Sequence, residues 1–242
     1  MKILKFSAIS STNDYLKELI SKSSIENYTV ISTDFQSKGK GQATNKWVSS
    51  KGKNLLFSIL VRFANYEIAK QAYINFAISI GIYQVLKKYY PKIDIKWPND
   101  IMAEDKKICG ILIENTVKGN KLSHSIIGIG LNVNQLEFSK DLPNAISLKA
   151  LKNRDIDRDI LLIELLESIK QQIKILNEKS LDGLKFNYEK ALFKKGITMM
   201  FKTNKNKTFL GKIKGVSEIG LLQIELEDGV VVEFANKEVF FI

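Results

Sequence analysis

The chain has 242 residues, with 37 Lys and Arg against 26 Asp and Glu and a formal net charge of +11. Hydrophobic residues make up 45% of it, enough for a buried core, which excludes disorder as a description of the whole chain. Cys109 is the single cysteine and His124 the single histidine, so an intramolecular disulfide is excluded, and a Cys/His zinc site or nucleophile pair would have to use both.

The N-terminal residues 1–6 lead straight into polar Ser10-Ser11-Thr12-Asn13-Asp14, and no apolar stretch approaches a signal core or a membrane span. The expectation is a reduced, soluble, cytoplasmic protein with no membrane contact. Only Arg62, Arg154 and Arg158 are arginines, and the lysines are spread along the chain instead of forming one basic arm. Solvated charge, steering of an anionic protein or nucleotide, and nucleic-acid binding all remain open on charge alone. The absence of an evident helix-turn-helix segment argues against the last.

Ser11 or Thr12 can cap a short helix through about residue 22. Residues 28–33 read as a strand, and a polar, glycine-bearing loop follows from Gln36 to about Lys53. Residues 54–61 form an apolar strand covered on both faces. Between about 66 and 89, Ala69, Tyr73, Phe76, Ile80 and Tyr83 recur at three or four residues, which predicts a long helix with one core-facing stripe. Residues 93–97 return to strand. Segments near 99–103, 107–117 and 121–134 look antiparallel, turning at Glu104-Asp105-Lys106 and Lys118-Gly119-Asn120. Helices fit 157–178 and about 180–194. After Lys195-Gly196, short runs at 197–203, 207–218, 220–226 and 229–234 suggest a small barrel, packed on a larger domain because its size is marginal alone.

Four segments carry polar chemistry that a core does not explain by itself. Ser11-Thr12-Asn13 is either a helix cap or a corner that hydrogen-bonds a small ligand. In the 36–47 loop, Gly39 and Gly41 let the backbone approach an anion and Lys40 can neutralise it, unless the loop is simply flexible. It is neither a Walker A sequence nor a dinucleotide fingerprint. Asn99 and Asp100, after Lys96-Trp97-Pro98, either end a strand in a turn or present an amide and a carboxylate to Mg²⁺ bound to phosphate. Finally, Lys106 or Lys107 starts an apolar strand and can aim an ammonium into a cleft beside Gly110. Spacing cannot choose between the two lysines.

Together these segments resemble the biotin–protein ligases, in the short form without an N-terminal DNA-binding domain. The matching pieces are Ser11-Thr12-Asn13, Gln36 to Trp47 with its GKG core, Lys53-Asn54-Leu55, KWPND at 96–100, KICGILIE at 107–114 and GIGLNVN at 128–134. The last three are specific in combination. The resemblance implies an α+β fold, a mixed β-sheet flanked by helices as in class II aminoacyl-tRNA synthetases, with an SH3-like β-barrel at the C-terminus. It also implies a catalytic domain over 1–195 and the β domain over 196–242.

The activity implied is two-step: biotin and ATP give biotinyl-5′-AMP and pyrophosphate, then a lysine of a biotin carboxyl carrier protein takes the biotinyl group and AMP leaves. By position, Ser11, Thr12 and Gln36 are expected at the biotin head and the backbone around Gly110, Gly128 and Gly130 along its slot, with Asn13 and Ile111 also among the binding residues. Gly39, Lys40, Gly41 and Gln42 are expected in the loop that closes over the adenylate, with Trp47 packing that loop or meeting the nucleotide. Lys40 stands where the family usually has arginine, and Gln42 to Asn45 replace much of a basic pattern. Lys107 matches the active-site lysine, while Asn99, Asp100 and Asn132 are candidates for Mg²⁺–ATP, with Asp100 the metal ligand. Asp100 is also a candidate for deprotonating the acceptor lysine. Nucleic acid is not expected as a partner, and the chain is a monomer or homodimer. Within the same fold, a lipoate or octanoate ligase is the rival reading, and a biotin-responsive binding protein is the rival outside catalysis.

Overall fold

In the computed structural model, which describes residues 1–178 and 181–242, Ser11 caps the first helix. Its Oγ accepts from the Asp14 N–H at 3.4 Å, and α1 (Thr12–Lys22) follows. A strand that composition does not announce, β1 (Ile3–Phe6), precedes it and pairs in parallel with β2 (Val30–Thr33). Next comes β3 (Leu55–Glu67), longer than its apolar run. Its outer half is carried by pairing, Tyr66 against Leu122 and Glu67 against Lys121, so the expected helix starts only at Ala72. That helix is α2 (Ala72–Tyr89), entered through a 3-10 turn at Ile68–Lys70.

Four strands then run antiparallel: β4 (Ile93–Lys96), β5 (Asp100–Ala103), β6 (Lys106–Lys118) and β7 (Lys121–Leu131). Glu104 and Asp105 both have positive φ, the two-residue hairpin geometry that matches strand twist. The sheet order is β1-β2-β3-β7-β6-β5-β4, and only the β1–β2 pair is parallel. The helices α3 (Leu148–Lys152), α4 (Arg158–Asn177) and α5 (Leu181–Lys190) follow. The expected first residue of the last helix, 180, lies outside the described residues. It ends at Lys190, before the expected 194, because Ala191 and Phe193 leave the helix to exchange backbone hydrogen bonds with Ile95.

Side chains alternate across the sheet. Phe57, Ile59, Ile127 and Ile129 belong to the main core with α2 and α4, while Leu60 and Ile126 pack against Leu16 of α1 on the opposite face. On that second face the next residues along the strands are Ser58, Gly128 and Gly130. A patch of sheet without large side chains is thus left beside α1.

The C-terminal strands are β8 (Thr198–Thr203), β9 (Thr208–Val216), β10 (Leu222–Leu226), β11 (Val231–Phe234) and β12 (Val239–Phe241). They do not form the expected SH3-like barrel. The order is β11-β10-β9-β8-β12, an open sheet: the three-residue β12 adds to β8 at the edge far from β11, and no pairing among the described residues joins the two edges. Closure is unnecessary because the apolar face is covered otherwise. Phe201, Ile213, Val216, Leu222 and Ile224 are continuous with the core of the large sheet. Phe201, Phe209 and Phe234 line this face in sequence, with ring centroids 5.5 and 5.6 Å apart.

Polar contacts fasten the C-terminal strands to the rest of the chain. Trp97 Nε1–H donates to the Gly220 carbonyl at 2.9 Å, and the half-buried Glu189 carboxylate accepts from the Val216 N–H at 3.1 Å. Trp97→Phe keeps most of the buried surface and removes the donor. It should lower stability by about 1 kcal/mol, or more if the Gly220 carbonyl finds no replacement, as read from urea denaturation. Among the described residues no helix is long and apolar enough to cross a membrane.

Candidate active site

The patch of bare sheet is the floor of a cavity of about 460 Å³. Gly110 of β6 lies directly across from Gly130 of β7, and Gly128 lies across from Ser58 and Leu112. Absence of side chains is required here. A Cβ on Gly130 would stand 2.4 Å from Cε2 of Trp47, and one on Gly128 would stand 2.4 Å from Oδ1 of Asn13. The Trp47 indole therefore packs against the glycine floor, its N–H buried and without a partner among the described residues.

A bulge decides which lysine enters. Ile101 pairs with Cys109 but the next residue, Met102, pairs with Lys107, so Ile108 is an extra residue in β6. The shift brings the Lys107 side chain to the face of Gly110, where Nζ would stand 3.3 Å from an added Cβ. Lys107 lines the cavity, whereas Lys106 is exposed and does not. The Lys107 ammonium sits 2.6 Å from Asp100 Oδ1, a charge contact without hydrogen-bond alignment, and 5.7 Å from the centre of the Trp47 ring. Neighbouring Cys109 is fully buried, and burial pushes its thiol far above the ordinary range. It is inert.

The opposite end of the cavity is polar. The N–H and Oγ1–H of Thr12 both donate to Gln36 Oε1, at 2.8 and 3.0 Å. With its oxygen so engaged, Gln36 keeps its amide NH₂ as a donor. Ser58 Oγ stands 2.7 Å from Thr12 Oγ1 and 2.5 Å from Asn13 Oδ1, with one proton for the two. Asn13 Nδ2 donates to Glu114 at 2.7 Å, which fixes its amide orientation. Thr12, Asn13 and Ser58 are all buried, so this is a rigid, preorganised corner.

The 36–47 loop supplies part of the cavity wall. Lys40 reaches Asp14 on α1 at 2.7 Å, and this hydrogen-bonded carboxylate holds the Lys40 ammonium above the ordinary lysine range. From the far side the C-terminal sheet contributes Asn236, Lys237 and Phe240 to the wall. Lys96 is not on that wall: it is half-buried over the Phe241 ring at 4.8 Å, and burial pushes its pKa down. Four lysines, Lys40, Lys46, Lys107 and Lys237, face the cavity against one carboxylate, Asp100. Such a balance attracts anions.

The structure thus brings Ser11, Thr12, Asn13, Gln36, Lys40, Gly41, Gln42 and Trp47 around one space with Asn99, Asp100, Lys107, Gly110, Ile111, Gly128 and Gly130. Two expected site residues fall elsewhere. Gly39 lies under the loop, where a Cβ would meet the Trp47 carbonyl at 2.4 Å. Asn132 is buried beyond the floor, its backbone bonding Ile108 and Leu148. Sequence reasoning missed Ser58, Asp14 and the three C-terminal residues. Ser58 sits in an apolar run whose alternation marks it as facing the other way from Phe57, a signal that was there to read; residues 236–240 carry none. Among the described residues no cluster of three or more His, Cys, Asp or Glu forms a metal site.

Residues 6–132 match the Biotin/lipoate A/B protein ligase family. The bifunctional ligase/repressor BirA of Bacillus spizizenii is 29% identical over 226 residues, covering 92% of this chain and 69% of that protein. For BirA of Escherichia coli the figures are 27% over 238 residues, 96% and 71%. The biotin protein ligase from Aquifex aeolicus, solved in complex with biotin and ATP, superposes with a TM-score of 0.81 at 27% identity, covering 100% of this chain and 98% of that one. Family match and fold agree with the arrangement of the cavity: the chain belongs to the biotin/lipoate A/B protein ligase family.

Proposed function

We propose that the chain is a biotin–protein ligase, which converts biotin and ATP to biotinyl-5′-AMP and pyrophosphate and then transfers the biotinyl group to a lysine of a biotin carboxyl carrier domain. The observation that carries this reading is a single cavity with a polar corner at Thr12 and Gln36, a floor of Gly110, Gly128 and Gly130, and a cationic end at Lys107. Biotin has the same three parts in the same order: a ureido head with a carbonyl and two N–H groups, an unbranched aliphatic chain, and a carboxylate.

In the first step a carboxylate oxygen attacks the α-phosphorus of ATP and the bond to pyrophosphate breaks. No enzyme nucleophile is needed. Lys107 stabilises the charge that builds on the carboxylate and α-phosphate oxygens, and Asp100 at 2.6 Å holds its ammonium in place. Mg²⁺ is normally bound through one or two carboxylates plus substrate phosphates, so the single carboxylate Asp100, with Asn99 beside it, suits an ion delivered with the nucleotide. Its contribution when bound would be to offset polyphosphate charge. In the second step the acceptor amine attacks the carbonyl of the mixed anhydride, an amide forms, AMP leaves and one proton is lost. Loop 36–47, which lines the cavity, keeps water from the anhydride meanwhile. An acidic carrier domain meets a chain of net charge +11 with a favourable on-rate. We assign the catalytic unit to residues 1–195 and an accessory unit to 196–242, whose 236–240 segment completes the cavity wall.

The test is pyrophosphate release by the purified chain with Mg²⁺–ATP and biotin, lipoate or no acid, followed by addition of a carrier domain. Biotin-dependent release and then a mass gain of one biotinyl group are expected. Release with lipoate alone would move the chain to the other branch of its family, and no release with either acid from a folded sample would remove the ligase assignment.

A further inference from the structure

Alternation along β6 places Gly110, Leu112 and Glu114 on one face, the face of the glycine floor. Gly110 and Leu112 line the cavity; Glu114 does not, and reaches the site only through Asn13. Its Oε2 accepts from Asn13 Nδ2 at 2.7 Å, and its Oε1 accepts from Lys17 Nζ at 2.5 Å. A carboxylate has no proton to give, so the amide nitrogen of Asn13 must face Glu114. Asn13 Oδ1 then faces inward, against Gly128 and Ser58. The chemistry described above uses neither Glu114 nor Ser58.

Inside the corner, hydroxyl protons are fewer than the contacts that need them. Ser58 Oγ lies 2.5 Å from Asn13 Oδ1 and 2.7 Å from Thr12 Oγ1, and Thr12 Oγ1 lies 3.0 Å from Gln36 Oε1. Each hydroxyl has a single proton. Asn13 Oδ1 cannot donate, and oxygens 2.5 Å apart need a proton between them, so Ser58 gives its proton to Asn13. The 2.7 Å contact then takes the Thr12 proton. The longer contact to Gln36 Oε1 is left without one, and that oxygen keeps the Thr12 N–H at 2.8 Å. Every bond from Thr12 through Ser58 and Asn13 thus donates toward the Glu114 carboxylate, among side chains that are buried up to that end. Thr12 Oγ1 presents lone pairs, not a proton, to the cavity that Thr12 lines.

We infer that Glu114 and Ser58 are positioning residues that make Thr12 a hydrogen-bond acceptor, so that the corner selects an acid whose head carries an N–H, as a cyclic urea does, over one whose head has none, such as a dithiolane or a plain alkyl chain. The inference rests on the ligase reading, in which the N–H head is that of biotin. Neither residue lines the cavity, and each acts through Asn13 or Thr12. A head without an N–H would leave the Thr12 lone pairs buried and unpaired, which is how a polar site rejects a ligand of the wrong kind.

Titration calorimetry of the full chain with biotin reads the effect. Ser58→Ala and Glu114→Gln should each weaken binding by about three- to tenfold, the size of one hydrogen bond. Combined, they should weaken it little beyond the stronger single change, because both act through one chain of bonds although they do not touch. Asn13→Asp sets two carboxylates face to face and should weaken binding at least as much. Joined to Glu114→Gln, it restores a donor at 114 and an acceptor at 13, and affinity should return to within about threefold of wild type. Lost packing would not be repaired by exchanging which partner carries the charge. Affinity for lipoate, whose head has no N–H, should stay within about twofold of wild type in Ser58→Ala and Glu114→Gln. Unchanged biotin affinity in either variant, additive losses in the combined one, an exchange variant no better than Asn13→Asp alone, or a parallel loss of lipoate binding would overturn the inference. A wild-type chain that binds no biotin would remove the ligase reading and this inference with it, whereas a biotin-binding wild type with unaffected variants removes the inference alone.

Discussion

Lys107→Ala should reduce biotin-dependent pyrophosphate release by about 10²–10³-fold, the loss seen when one preorganised donor to a developing anion is removed. The reason is local. β6 delivers a single ammonium to the glycine floor, and the other cavity lysines, Lys40, Lys46 and Lys237, lie on the 36–47 loop and the C-terminal turn instead of on the floor. Stability should change by less than about 1 kcal/mol, since the Lys107–Asp100 pair is 38% and 25% exposed at its two side chains. Initial-rate assays alongside urea denaturation separate the two effects. Wild-type release from this variant would sink the assignment of Lys107 to the chemical step.

Gly130→Val should weaken biotin binding by about tenfold to a hundredfold while leaving the fold intact, with overpacking of about 1–3 kcal/mol concentrated at the floor. The first atom of the new side chain would fall 2.4 Å from the Trp47 ring, so the indole must leave or the valine must fill the slot. Either way the packing of the indole on the floor is disrupted and the slot changes shape. Glycine is a poor strand residue and valine a good one, which offsets part of that cost, so stability should fall by less than about 2 kcal/mol as affinity falls. Titration calorimetry with biotin reads the affinity, and an unchanged value would place the acid somewhere other than along the glycine floor.

Several features were legible because they depend on local chemistry. Ser11 announces a helix start, Glu104-Asp105 a tight hairpin, and the apolar periodicity of 66–89 a buried helix, even though strand pairing with Leu122 and Lys121 delays that helix to Ala72. The cavity residues Thr12, Gln36, Asp100, Lys107, Gly128 and Gly130 were also readable, as members of motifs whose order fits one family. Ser58 was missed inside an apolar run although its alternation placed it on the site face, opposite Gly128.

The sequence by itself determined the α+β class, the family and the residue types of the site, because motif chemistry and hydrophobic period are properties of neighbouring residues. Pairing between distant strands decided the rest. The extra residue at Ile108, visible only when Ile101 and Met102 are seen opposite Cys109 and Lys107, selects Lys107 over Lys106 for the cavity. The C-terminal sheet stays open because its apolar face finds the core of the large sheet, not its own far edge. The same docking brings Asn236, Lys237 and Phe240 to the cavity wall and Asn236 to Gln42, a juxtaposition set by packing between two sheets that no pattern within 235–240 encodes.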